Sequence, residues 1–84
     1  MGIAVVTGGS RGLGFETARA LKQAGHQVLL VAKDPVRLAQ AASTLQCEFR
    51  AVDLENIDAT QATFHEILTT FGAPGILVLA HGVM

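Results

Sequence analysis

The strongest chemical signal in this 84-residue chain is an eight-residue run, Thr7-Gly8-Gly9-Ser10-Arg11-Gly12-Leu13-Gly14. It follows a short β-type apolar run at residues 3–6 and precedes a segment whose apolar residues fall at helical spacing. Glycines let the backbone turn sharply and come close to a ligand. The N–H groups at a helix start, together with the helix dipole, favour an anion. A strand, this turn and a helix in succession therefore predict a cradle for a dinucleotide phosphate. The glycine spacing from Gly8 to Gly14 is Gly-x3-Gly-x-Gly. It differs from the common G-x-G-x-x-G, and no Gly-Lys-Ser/Thr follows, so it is not a P-loop.

A second signal bears on which dinucleotide. Sites that hold a ribose 2′-hydroxyl place an acidic residue at the end of the second strand. Ala32 occupies that place here and Lys33 follows it. Asp34 is nearby, but with Pro35 behind it the sequence assigns it to a helix cap. Arg11 in the turn and Lys33 opposite it supply two cations, which suit a 2′-phosphate. NADP is therefore expected in preference to NAD.

The remaining reactive side chains do not assemble into a catalyst. His26 lies at a helix–strand joint and His65 follows core-facing Phe64, so both are expected to face solvent. His81 sits at the end of a strand, where ligand sites of α/β sheets form. Cys47 reads as a small buried apolar residue. Asp53 and Glu55 are too close in sequence and too differently placed for a catalytic pair, and Asp58 reads as a helix-start residue. No His, Cys and Asp cluster has metal-ligand spacing, so no metal site is expected.

The elements that must position these residues follow from period and punctuation. Residues 3–6, 28–32, 47–52 and 76–80 are strand-like runs. Between them lie three amphipathic segments. Gly14, Ala18 and Leu21 mark the first, which Gly25 ends. Leu38, Ala41, Ala42 and Leu45 form the stripe of the second. Ile57, Phe64, Ile67, Leu68 and Phe71 form that of the third, which Gly72-Ala73-Pro74-Gly75 stops. The order βαβαβαβ predicts a parallel sheet with right-handed crossovers. The fourth strand is apolar without alternation, which suits a strand covered on both faces. The chain thus reads as the first part of a larger sheet, forming one partial domain over residues 1–84.

Composition narrows the class. Half the residues are apolar and 15% are charged, which excludes disorder. A net charge of −1 gives no sign of nucleic acid or an anionic membrane as partner. A single cysteine fits a reducing, cytoplasmic setting. No apolar run approaches the ~20 residues of a membrane span. The opening residues lack the marks of a signal peptide, and Thr7 falls one position late for a myristoylation pattern.

Taken together, Thr7-Gly8-x3-Gly12-x-Gly14 resembles the signature of the short-chain dehydrogenases/reductases. Extended members such as sugar-nucleotide epimerases place the middle glycine one residue earlier, at the position of Arg11. Ala51-Val52-Asp53-Leu54 resembles the family's third-strand motif, whose Asp contacts adenine. Residues 76–82 lie where the family has its fourth strand and an Asn-Asn-Ala-Gly motif, of which only Gly82 matches. The resemblance implies a Rossmann-like three-layer α/β fold with strand order 3-2-1-4. The first two helices are expected on one face, and the third is expected to cover the other in part. With the residue arguments above, it implies NADP contacts at Thr7, Gly8, Ser10, Arg11, Gly12, Leu13, Gly14, Lys33, Asp53, Leu54, Ala80 and Gly82.

The family's hydride transfer is credited to a Ser and a Tyr-x-x-x-Lys beyond the fourth strand. This chain has no tyrosine, and its only lysines are Lys22 and Lys33. No catalytic residue is therefore assigned. The expectation is the NADP-binding portion of an oxidoreductase acting on carbonyls or alcohols, a truncated chain inactive alone. The alternatives are a non-catalytic nucleotide-binding or sheet-completing interaction module, and a degenerate interaction protein without nucleotide. Self-association, or a second chain completing the sheet, is expected from the exposed fourth strand.

Overall fold

The computed structural model describes residues 2–8 and 12–80. The elements run β1 (Ala4–Thr7), α1 (Gly12–Gln23), β2 (Val28–Ala32), α2 (Pro35–Leu45), β3 (Glu48–Ala51), α3 (Ile57–Phe71) and β4 (Ile76–Leu79). All strand pairs are parallel and the order is β3-β2-β1-β4, as the resemblance implied.

Continuous apolar runs make β1 and β2 the centre of the sheet, and every residue of both is buried. On one face, Ala4, Val6, Val28, Leu30 and Ala32 pack with Ala18 of α1 and with Leu38, Ala41, Ala42 and Leu45 of α2. On the other face, Ile3, Val5, Leu29, Val31 and Val52 pack with Ile67 of α3, flanked by Leu54, Phe64 and Phe71. Helix, sheet and helix form the three layers expected.

Local chemistry fixes the helix ends. Asp34 Oδ1 accepts from the amides of Val36 at 3.0 Å and Arg37 at 3.3 Å, and Pro35 opens α2 without losing a hydrogen bond. Gln46, with φ 56°, closes α2 as a left-handed cap, and the Cys47 amide donates to the Ala42 carbonyl at 3.0 Å. After α1, the amides of Gly25 and His26 donate back to Lys22 and Leu21. Asn56 caps α3 through Oδ1, which accepts from the Ala59 amide at 3.0 Å.

The stripe expected on α3 needs correction at two positions. Phe64, Ile67 and Phe71 turn inward, but Ile57 is 69% exposed and Leu68 is 49% exposed. In the first turn of α3 it is Ala59 that packs on this core, and Ile57 stays exposed. Leu68 lies one residue round the helix from fully buried Ile67.

At the other end, β4 is covered on one face only. Ile76 and Val78 pack against the α1–α2 layer. Leu77 and Leu79 face the α3 side and are 53% and 68% exposed. The opposite edge strand, β3, manages its exposure with charge. Arg50 there donates to Glu66 of α3 and lies over the Phe71 ring.

Candidate functional site

The carboxyl ends of all four strands lie along one edge of the sheet, and backbone hydrogen bonds extend the ladder past them. The Gly8 amide donates to the Val31 carbonyl at 2.6 Å, Val52 to Ala32 at 2.8 Å, and Ala80 to Thr7 at 3.0 Å. These bonds bring Gly8, Lys33, Asp53 and Ala80 to the same edge. The strand order reverses at β1, between β2 and β4. Open α/β sheets form their ligand crevice at such a reversal.

The backbone around this crevice matches the demands of the glycine run. Gly8 has φ 74° and Gly12 has φ 64°, conformations that residues with a side chain rarely adopt. Outside its own chain neighbours and helix backbone, no described atom lies within 4 Å of where a Cβ on Gly12 would stand. Gly14 is buried, while Leu13 beside it is 76% exposed. The first N–H groups of a helix have no intrahelical acceptor. The first turn of α1 carries no acidic side chain to offset its dipole, whereas α3 has Asp58 in its first turn. Such an end favours an anion, which suits a dinucleotide phosphate.

Thr7 is 1% exposed, and its hydroxyl donates to the Val78 carbonyl at 3.2 Å, a polar tie between β1 and β4. That tie belongs to the stretch where Leu79, Ala80 and His81 depart from the family motif. The Lys33 Nζ stands 3.7 Å from Asp53 Oδ2, with the Lys side chain 75% exposed. Asp53 Oδ1 accepts from the Glu55 amide at 3.0 Å, so these two acidic residues form a turn and not a catalytic pair. Leu54 is half-buried against the α3 layer. Asp34 is spent on its cap and on Arg37, whose Nε lies 3.7 Å away. Gly9, Ser10, Arg11, His81 and Gly82 lie outside the described residues.

The other candidates stand apart. Lys22 and Cys47 line a cavity of about 630 Å³ at the opposite edge of the sheet, with Glu48 and Phe49. Burial pushes the Cys47 thiol pKa up, away from a reactive thiolate. His26 and His65 are exposed, as expected. Among the described residues, no three His, Cys, Asp or Glu side chains stand together as metal ligands would. No helix among them is long and apolar enough to cross a membrane.

The Lys33–Asp53 pair was not foreseen. The two residues are 20 positions apart on different elements, and only the parallel register, with Ala32 beside Ala51, brings them together. The element order gives the neighbouring strands, but neither this register nor the meeting of the two side chains.

With this geometry in hand, comparison with known proteins is specific. Residues 2–84 match the family model described as short chain dehydrogenase. Carbonyl reductase family member 4 of Danio rerio is 33% identical over 84 residues, covering 96% of this chain and 35% of that protein. The structure of L-sorbose reductase from Gluconobacter frateurii, complexed with NADPH and L-sorbose, superposes with a TM-score of 0.89 at 31% identity, covering 98% of this chain and 34% of that one. A metagenomic short-chain oxidoreductase in complex with NADP gives 0.85 at 34% identity, covering 90% and 37%. The chain therefore spans about a third of the length of the relatives it matches.

Proposed function

The chain belongs to the short-chain dehydrogenase family, and from that membership we propose that its 84 residues form the NADP-binding portion of an oxidoreductase that moves hydride between a nicotinamide and a carbonyl or alcohol. The observation that carries this reading is the convergence at the strand-order reversal. Thr7, Gly8 and Ala80 stand at the ends of β1 and β4, with Gly12 opening α1, and Lys33 and Asp53 follow β2 and β3 further along the same edge. In this reading Gly8, Gly12 and Gly14 let the backbone close on the pyrophosphate, with Ser10 and Leu13 beside it. Lys33, with Arg11, faces the adenosine 2′-phosphate. Asp53 and Leu54 border the adenine, while Ala80 and Gly82 border the nicotinamide ribose. The cofactor when bound supplies the hydride, and these residues bind and orient it. NADPH and NADP in the two related structures support the phosphorylated form. The setting proposed is cytoplasmic.

Titration of the protein with NADP, NAD, 2′-phospho-ADP-ribose and ADP-ribose tests the reading. The phosphorylated member of each pair binds more tightly. Equal or inverted affinities reject NADP, and no binding of any of the four rejects the nucleotide site.

One observation favours a second reading, a binding module without turnover. The chain contains no tyrosine, and Lys22 stands at the edge opposite the proposed site. Among the described residues, none is placed to protonate a carbonyl oxygen in the family's way. On this reading the exposed Leu77 and Leu79 mark where a second copy or another chain covers the sheet. Nicotinamide absorbance followed with NADPH and a panel of ketones separates the two, because steady turnover by the pure protein rules out the module.

A further inference from the structure

Asp53 is a fixed anion. Its Oδ1 accepts from the Glu55 amide at 3.0 Å, and its carbonyl accepts from the Asn56 amide at 2.9 Å. The Val52–Ala32 backbone bond at 2.8 Å sets it beside the end of β2. Its other carboxylate oxygen faces the Lys33 Nζ at 3.7 Å. Lys33 has a long, exposed and adaptable side chain, so the cation accommodates the anion and not the reverse. An incoming phosphate at Lys33 must share that ammonium with Asp53, whereas a ribose hydroxyl meets no such competition.

We propose, resting on the dinucleotide reading above, that Asp53 is a specificity-setting residue: by holding part of the Lys33 charge it tempers the preference of this edge for a 2′-phosphate over a 2′-hydroxyl. Asp53 acts here through Lys33, as a positioning residue. The pair, and not Lys33 alone, sets the ratio of phosphorylated to unphosphorylated nucleotide bound.

Asp53→Asn keeps an Oδ1 acceptor for the Glu55 amide and removes the charge. Calorimetric titration of the protein with 2′-phospho-ADP-ribose and with ADP-ribose gives two dissociation constants and their ratio. Any adenine contact of Asp53, or any small change in its turn, acts on both ligands and cancels in that ratio. The ratio moves about threefold toward the phosphorylated ligand in Asp53→Asn, the size expected when an exposed charge pair is relieved. The gain disappears when Lys33→Met is combined with it. A fall in the ratio, no change, or a gain that persists undiminished beside Lys33→Met overturns the proposal while leaving the dinucleotide site standing. Failure of the unaltered protein to bind either ligand overturns both.

Discussion

Arg50 of β3 grips Glu66 of α3 with two hydrogen bonds, Nε to Oε1 at 2.7 Å and Nη2 to Oε2 at 3.0 Å. This bidentate pair ties the edge strand to the helix that covers it, and Thr70 adds a third donor to Glu66 at 2.9 Å. The Arg50 hydrogen bonds, with that of Thr70, hold the Glu66 carboxyl pKa down to about 2 from 4.5. A carboxyl with a depressed folded-state pKa contributes stability that is complete above its unfolded value and is lost as pH falls through the folded one. The window is therefore pH 4.5 down to about 2. Melting temperatures measured across that window fall more steeply for the unaltered protein than for Glu66→Gln. The variant is the less stable of the two at neutral pH, and the curves converge near pH 2. Parallel curves would show that the pair contributes nothing.

Two glycines separate crowding from backbone freedom. A Cβ on Gly2 would collide with the backbone of Ala73, Pro74 and Gly75, where the Gly75 amide donates to the Ile3 carbonyl at 3.0 Å. None of those atoms is the far end of a flexible side chain. Gly2→Ala is expected to cost about 1–3 kcal/mol in chemical denaturation, as overpacking does. Outside its own chain neighbours and helix backbone, Gly12→Ala meets no described atom within 4 Å, so its cost is that of a side chain at φ 64°, about 1–2 kcal/mol. The two differ in binding. Gly12→Ala puts a methyl at the start of α1 and weakens NADP at least tenfold, while Gly2→Ala binds NADP as before once folded. Equal effects on binding would remove Gly12 from the site.

What could be read from the chain and what could not divides along a physical line. Signals confined to one element were legible. Asp34-Pro35 announced the start of α2, Gly25 the end of α1, and the unalternating runs at residues 28–32 and 76–80 the strands. The element order carried the topology, because parallel strands with right-handed crossovers leave few arrangements. Signals that depend on where two elements meet were not legible. Ile57 has the right period for the core but is 69% exposed, since periodicity alone does not report which residues of a helix's first turn meet a neighbouring element. The Arg50–Glu66 and Lys33–Asp53 pairs join elements through register, which hydrophobic pattern does not report at side-chain resolution. At the candidate site, the glycine positions and Lys33 were legible as chemistry. The charge that Lys33 shares with Asp53 was not.

Reversal of charge at Lys33 tests the assignment of that edge directly. Lys33→Asp removes the cation and sets a second carboxylate near Asp53. A 2′-phosphate would then face two negative charges, while a ribose hydroxyl would gain an acceptor. Affinity for NADP is expected to drop at least tenfold, and affinity for NAD to hold or rise. Fluorescence titration with both nucleotides reads the outcome, and unchanged selectivity removes Lys33 from the specificity argument. The NADP affinity of the unaltered protein also weakens with added salt more than its NAD affinity, because the contact is exposed and charged.

The uncovered face of β4 sets the last expectation. Leu77 and Leu79 point to the α3 side of the sheet at 53% and 68% exposure, on the strand that ends the sheet among the described residues. Their neighbours across the β1 ladder, Val5 and Thr7, are buried, so on the α3 side the cover ends between two adjacent strands. An apolar strip beside an open edge favours association of one copy with another. Sedimentation velocity of the protein is expected to show dimers or larger species that grow with concentration. Leu77→Lys with Leu79→Lys places two charges on that strip without touching Ile76 or Val78, which hold β4 to the α1–α2 layer. The double variant shifts toward monomer and still unfolds cooperatively. A protein that is monomeric before the change shows that this face does not self-associate, and one that remains associated after it shows that the contact lies elsewhere.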